Sequence, residues 1–140
     1  SLRFFAPAAA EDALNQPALA ALARVGLAAR QDVRAGQLSH GEKRLLELAI
    51  AMATAPKLLL LDEPLAGLGR EESVAVIALL RQLKSEYTIL LVEHDMDAVF
   101  ALADRISVLV YGRVFATGTP GAIRRDPAVR AAYLGEEMAV

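Results

Sequence analysis

Apolar residues recur at helical spacing in three segments of the chain. Residues 11–27, rich in Ala and Leu, predict a helix or a helical pair after an irregular stretch over residues 7–17. A second helix is predicted to begin after Ser39, which has the position of a capping residue, and to end at Pro56. Residues 70–83 predict a third amphipathic helix, with two acidic residues in its first turn.

Two continuous apolar runs have a different pattern, which is typical of strands buried on both faces in a parallel sheet. Residues 58–61 and 87–92 lie between turn signals, and polar residues follow each run. Towards the C-terminus, residues 106–110 and 114–115 predict a hairpin that turns at the Tyr-Gly pair between them.

Short helices are predicted on both sides of this hairpin. Residues 96–103 carry one apolar stripe, and Thr119 and Asp126 each precede a proline that suits the first helical position. Gly135 is expected to stop the last helix. Strands that alternate with helices predict an α/β fold with a mainly parallel sheet, in which the residues after the strands share one edge.

Composition narrows the classes of function. The chain has 140 residues, 55% of them hydrophobic, which suits one domain with a real core. Fifteen basic and 17 acidic side chains give a net charge of −2, so composition offers no nucleic-acid patch. Cysteine is absent, which excludes disulfides and thiolate metal sites. No apolar run approaches the roughly 18 residues that span a bilayer, so a membrane role requires a partner.

The first candidate for chemistry is the run KLLLLDEP, in which an apolar strand ends in Asp62 and Glu63. Neighbouring strand residues point in different directions, so the two carboxylates can serve different atoms. In a nucleotide site, Asp62 can hold Mg²⁺ through water and Glu63 can polarise the attacking water. The alternative is a strand end with two solvated acids.

Two further clusters lie near predicted element ends. The run LSHGE starts a helix, where free N–H groups, the Ser39 hydroxyl and the small Gly41 suit a phosphate. A capping box that serves only the helix is the alternative. His94 follows the second strand and could reach a phosphate oxygen and a catalytic water; a surface histidine that caps a helix is the alternative.

Taken together and in this order, the clusters resemble the second half of an ATP-binding-cassette (ABC) ATPase, from about residue 22 onward. The resemblance assigns residues 58–62 to the Walker B motif, Glu63 to the catalytic glutamate and residues 66–69 to the D-loop, with His94 as the switch histidine. It assigns the signature loop to Leu38, Ser39, His40, Gly41 and Glu42.

This resemblance implies a P-loop NTPase fold and a mechanism in which two ATPase subunits enclose two ATP molecules with Mg²⁺. Ser39 and Gly41 would serve the γ-phosphate of the partner's ATP, and Gly69 would lie at the subunit contact. The second subunit would be a copy of this one or a homologue. Other implied partners are integral-membrane permease subunits and, indirectly, a periplasmic solute-binding protein, so the expected location is the cytoplasmic face of the inner or plasma membrane.

The C-terminal pattern D-P-x-V-x-x-A-Y-L-G over residues 126–135 is similar to the ATPase subunits of branched-chain amino acid importers, and of the related urea and amide importers. Residues 1–37 are expected to be an irregular start and the end of a helical subdomain. Residues 38–118 would form the catalytic core, and residues 119–140 a helical extension.

Three residues depart from the family's commonest pattern. His40 replaces a glycine, Glu42 replaces a glutamine and Gly69 replaces the D-loop aspartate. Glu42 brings negative charge to an anion site unless its carboxylate folds back onto the Ser39 amide, which is our hypothesis. Gly69 puts the D-loop contact across the dimer in doubt.

The motif G-x-x-x-x-G-K-[ST], which grips a subunit's own ATP, does not occur in the chain, and its first residue is Ser1. We therefore expect a C-terminal piece of a longer ATPase that does not hydrolyse ATP alone. A gap in the sheet flanked by Leu90 and Val108 would favour self-association. The alternatives are a soluble ABC ATPase of DNA repair or translation, and a naturally short, non-catalytic interaction domain.

Overall fold

The computed structural model describes residues 12–134, and side chains over residues 15–132. The chain divides into two compact units, with Glu93 as the last residue of the first and His94 as the first residue of the second. The predicted division at residues 37 and 118 stays a prediction.

The first unit contains three helices and two strands. Helix α1 spans Asp12–Arg24, and short 3₁₀ turns at Ala28–Arg30 and Ala35–Gln37 lead to α2, His40–Ala53. Strand β1 (Leu58–Asp62), helix α3 (Arg70–Leu83) and strand β2 (Thr88–Val92) follow. The predicted capping box of α2 and the bounds of α3 are confirmed.

Helix α1 corrects one expectation. Residues 12–17 are helical rather than irregular, and Pro17 lies inside α1; residues 7–11 lie outside the described part. Proline removes one helical N–H, but α1 packs against α2 and buries Ala21, and Val25 directly after α1 is also buried. Tertiary packing therefore outweighs the local signal of the proline.

Strands β1 and β2 pair in parallel, with Leu59 opposite Ile89 and Asp62 opposite Val92. The parallel pairing was predicted correctly, but the prediction that both faces of the strands are buried was wrong. Leu59 is 3% exposed, whereas its neighbour Leu60 is 68% exposed. Successive strand residues point to opposite faces, and the described helices cover only one of them. The other face of the pair exposes Leu58, Leu60, Leu90 and Val92.

The second unit begins with helix α4 (Met96–Leu102) and continues as an antiparallel hairpin of β3 (Ile106–Val110) and β4 (Arg113–Gly118). Tyr111 and Gly112 both have positive φ, 50° and 74°, as a two-residue hairpin turn of type I′ requires. The hairpin is therefore confirmed, with a bulge between Val108 and Leu109.

The end of the described chain contains α5 (Pro120–Arg125) and α6 (Pro127–Val129), which continues as one π-helical turn, Arg130–Leu134. Thr119 and Asp126 cap these helices as predicted; Gly135 lies outside the described residues. Ile123 and Val129 from these helices join Ile106 and Val108 of β3 in the core of this unit.

The described strands form two separate sheets, one parallel and one antiparallel. The α/β class and the parallel pair are thus confirmed. The strands of Leu90 and Val108 belong to different sheets; the predicted gap and self-association stay predictions. Within residues 12–134, no helix combines the length and apolarity needed to cross a membrane.

Candidate functional site

Asp62 and Glu63 lie at the carboxyl end of β1. Asp62 is the last strand residue, opposite Val92, and the Glu63 N–H still donates to the Val92 carbonyl at 2.9 Å. Glu63 has φ 43°, in the left-handed region, so the backbone turns sharply at this residue. Both side chains are exposed. The two carboxylates are therefore held by a backbone that the neighbouring strand supports.

The loop after Glu63 is anchored by a second carboxylate. Glu93, the residue after β2, accepts a hydrogen bond from the Leu65 N–H at 2.9 Å, and Leu65 is buried. The Ala66 N–H donates to the Glu63 carbonyl at 3.0 Å and closes a turn. Sequence reasoning placed Glu93 at this edge but gave it no role. The role of Glu93 could have been found from its position. An acidic residue directly after a neighbouring parallel strand can accept from N–H groups of the loop that follows the first strand.

The start of α2 has the predicted capping box. The Glu42 N–H donates to Ser39 Oγ at 3.1 Å, and the Ser39 N–H donates to Glu42 Oε2 at 2.8 Å. The proposed back-folding of Glu42 is thus confirmed. A helix start leaves its first N–H groups without helical acceptors. The box uses the N–H groups of Ser39 and Glu42 and leaves that of exposed His40 available to an anion.

A basic residue that sequence reasoning missed neutralises Glu42. Arg30 donates to both Glu42 oxygens, at 2.7 and 3.3 Å. The Arg30 hydrogen bond, together with the Ser39 amide, lowers the pKa of Glu42 from its ordinary 4.5 to about 2. The replacement of glutamine by glutamate therefore adds no unpaired charge at the helix start. No local spacing indicates this pair, because Arg30 lies in a separate 3₁₀ turn.

The D-loop, residues 66–69, lies against the start of α2. His40 Nε2 is 3.3 Å from the Ala66 carbonyl oxygen, and Leu38 is buried just before the helix. Gly69 is the N-cap of α3 and donates its N–H to Glu72 Oε2 at 3.0 Å. The structure thus brings the predicted signature and D-loop residues together within the first unit.

His94 is exposed and is the first residue of the second unit, between β2 and α4. The next residue, Asp95, caps α4 by accepting from the Ala98 N–H at 3.0 Å. The capping function that was the alternative for His94 thus belongs to Asp95.

The residues were tested for their fit to Mg²⁺ and phosphate. Asp62 offers one exposed carboxylate, which suits an ion that keeps several water ligands. Among residues 12–134, no three His, Cys, Asp or Glu side chains form a closed metal cage. Mg²⁺ bound by one or two carboxylates and substrate phosphates needs no such cage, so Asp62 fits this ion. The N–H group of exposed His40 at the helix start fits a phosphate oxygen.

Two family models match segments of this chain. The model of the ABC transporter family matches residues 5–66. A second model, of the branched-chain amino acid ATP-binding cassette transporter, matches residues 113–139. The chain belongs to the ABC transporter ATP-binding family. The resemblance seen in the signature, Walker B and C-terminal motifs is thus confirmed.

The curated relatives include transport proteins of this family. The high-affinity branched-chain amino acid transport ATP-binding protein LivG of Escherichia coli is 44% identical over 117 residues, which is 82% of this chain and 46% of the relative. BraF of Pseudomonas aeruginosa, with the same description, is 48% identical over 104 residues, 73% of this chain and 41% of the relative. The chain therefore spans about half the length of these curated relatives.

Solved structures show the same fold. The ADP conformation of an ATP-binding cassette of an ABC transporter matches with a TM-score of 0.80 at 30% identity, over 90% of this chain and 52% of the other. A nucleotide-free cassette matches equally well, with a TM-score of 0.80 at 30% identity, 91% coverage of this chain and 52% of the other. The P-loop NTPase fold is therefore confirmed.

Proposed function

We propose that this chain is part of an ATP-hydrolysing subunit that energises an ABC importer of branched-chain amino acids. The observation that carries the proposal is the carboxyl end of β1. There, Asp62 and Glu63 are both exposed, and Glu63 is tied to Val92 of the neighbouring parallel strand. The likeness to LivG and BraF supports the class of solute.

The two carboxylates take different roles in this proposal. Asp62 would hold Mg²⁺, which when bound would supply charge neutralisation at the phosphates. Glu63 accepts a proton from the attacking water, at a residue where the backbone leaves the strand in the left-handed region. Glu93 fixes the loop that follows, and His94 contacts a phosphate oxygen.

The signature residues act on the ATP of a second ATPase subunit. The N–H group of His40 and the hydroxyl of Ser39 meet its γ-phosphate, with the helix dipole aligned. Arg30 prevents Glu42 from repelling that phosphate. The second subunit is a copy or a homologue.

A membrane permease completes the proposed assembly, with the ATPase peripheral at the cytoplasmic face of the membrane and a periplasmic solute-binding protein acting indirectly. Since the chain contains no G-x-x-x-x-G-K-[ST] motif, ATP turnover requires the complete subunit. The C-terminal helical extension predicted over residues 119–140 contains α5 and α6 in its described part, and residues 135–140 lie outside that part.

The test is Glu63→Gln in the complete ATP-binding subunit, reconstituted with its membrane partners. Glutamine keeps the shape but cannot accept the proton, so ATPase turnover should fall by about 100-fold or more. Binding of ATP, measured by equilibrium dialysis, should stay within about twofold. The matched control is Glu71→Gln, an exposed acid in the first turn of α3. Turnover that survives Glu63→Gln would remove Glu63 from the base role.

A further inference from the structure

The start of α2 contacts the D-loop and the start of α3. A glycine lies at each of the two contacts: Gly67 in the D-loop and Gly41 in α2. His40 lies over Gly67: a Cβ atom on Gly67 would come within 3.0 Å of His40 Nε2. Gly67 also has φ 74°, which disfavours other residues. Since the Ala66 carbonyl 3.3 Å away can only accept, Nε2 carries the proton and donates to it.

The second contact runs in the opposite direction, from α3 onto α2. The Glu72 carboxylate lies so close to buried Gly41 that a Cβ atom on Gly41 would overlap it. The same carboxylate accepts from the Gly69 N–H at 3.0 Å. One side chain therefore contacts the signature glycine and also caps the helix that follows the D-loop.

The contact of Glu72 with Gly69 matters for the start of α3, because Gly69 is its N-cap residue. Ser, Thr, Asp or Asn at a helix N-cap accepts a hydrogen bond with its own side chain, but Gly69 has none to offer. The backbone at Gly69 is therefore held by Glu72 from within α3, and the D-loop by His40 from α2.

We propose that His40 and Glu72 are positioning residues that fix the D-loop against the start of the signature helix within one subunit. This proposal rests on the proposed function, because it assigns both segments to the enclosure of ATP. Displacing the D-loop breaks its contact with His40, and displacing the start of α3 breaks the contact of Glu72 with Gly41, so the D-loop, the start of α3 and the start of α2 are coupled. The geometry that the partner's γ-phosphate meets is then set in part by Glu72, which lies outside the signature loop.

The direct test is amide hydrogen exchange of the nucleotide-free chain, followed by NMR at Leu68 and Gly69, whose N–H groups both have acceptors. Glu72→Ala removes the acceptor of the Gly69 N–H, so exchange at Gly69 should accelerate by about 10-fold. Glu72→Asp, which keeps the charge but shortens the side chain, should also accelerate it. Glu72→Gln retains a carbonyl oxygen and should restore protection.

The control is Glu71→Ala, which removes an exposed charge from the same helical turn without a contact to Gly41 or Gly69. Equal exchange at Gly69 in Glu72→Ala, Glu72→Asp and Glu71→Ala would overturn the proposal.

His40→Ala removes the donor to the Ala66 carbonyl. It should accelerate exchange at Leu68, whose N–H donates to the Leu65 carbonyl at 3.2 Å across the same loop. The absence of any change at Leu68 would remove His40 from the role.

Steady-state kinetics of the complete subunit provide the functional measurement. Glu72→Ala and His40→Ala should lower kcat by about 3-fold to 10-fold. The KM for ATP should stay within about twofold, because neither residue binds the subunit's own nucleotide. Glu72→Gln should restore kcat. An unchanged kcat in both alanine variants would overturn the proposal. Exchange is measured without ATP, so it decides the proposal even if Glu63→Gln retains turnover and the proposed function fails.

Discussion

Helices α2 and α5 begin in the same way, yet only the start of α2 is held by distant residues. Ser39 Oγ accepts from the Glu42 N–H at 3.1 Å, and Thr119 Oγ1 accepts from the Ala122 N–H at 3.3 Å. Each helix has glycine as its second residue. A local cap is therefore common to both starts, and it does not identify a functional one.

The difference lies in contacts across the chain. Arg30 pairs with Glu42 near the start of α2, the D-loop carbonyl of Ala66 meets His40, and Glu72 covers Gly41. At the start of α5, the nearest side chain to a Cβ built on Gly121 is Arg125 of the same helix. Long-range contacts at a capped helix start thus separate the candidate anion site from an ordinary turn.

The largest expected effect comes from adding a methyl group to each glycine. Gly41→Ala places a Cβ into the Glu72 carboxylate, which must move aside and lose its bond to the Gly69 N–H, so the free energy of unfolding should fall by about 1 kcal/mol. Gly121→Ala meets only ordinary contact at 3.7 Å, so helix propensity should raise this free energy by up to about 1 kcal/mol. Urea denaturation followed by circular dichroism measures both. Equal effects of the two substitutions would remove the distinction between the helix starts.

Removing the caps should give similar, intermediate effects. Ser39→Ala and Thr119→Ala each delete one side-chain acceptor, at a cost of about 1 kcal/mol. The measurement is the free energy of unfolding in urea, with Ser85→Ala as a control for loss of an exposed hydroxyl. If Ser39→Ala lowered the free energy of unfolding much more than Thr119→Ala, the long-range contacts at the start of α2 would depend on the local cap.

The smallest effect concerns the ion pair of Arg30 and Glu42. The lowered pKa of Glu42 means that the folded state favours the carboxylate, so this stabilisation is present above pH 4.5 and is lost as pH falls towards about 2. The urea midpoint of Arg30→Gln should lie below that of the wild type at neutral pH, and the difference should shrink through this window. Arg34→Gln is the matched control. A difference that stays constant with pH would contradict the pairing.

Much of the fold could be predicted because its signals are local. Turn residues, caps and apolar runs placed α3 and the hairpin, and the Tyr111-Gly112 turn has the conformation that its position requires. Pro17 misled the prediction because packing of α1 on α2 outweighs one lost hydrogen bond. Exposure of Leu60 could not be predicted, since strand burial depends on what covers each face.

In the candidate site too, local contacts could be predicted and long-range contacts could not. The spacing of Ser39 and Glu42 predicted their reciprocal hydrogen bonds, because that geometry lies within one helical turn. The roles of Arg30 and Glu93 were missed, since both act on residues far along the chain. Such contacts depend on the path of the backbone between elements, which no local pattern in a single sequence contains.

The uncovered face of the β1–β2 pair has a thermodynamic consequence. Leu58, Leu60, Leu90 and Val92 already contact water in the folded chain. Hydration of apolar surface raises heat capacity, and unfolding adds this contribution only for surface that was buried before. The chain should therefore unfold with a smaller heat-capacity increment than its hydrophobic content suggests, and its stability should vary gently with temperature.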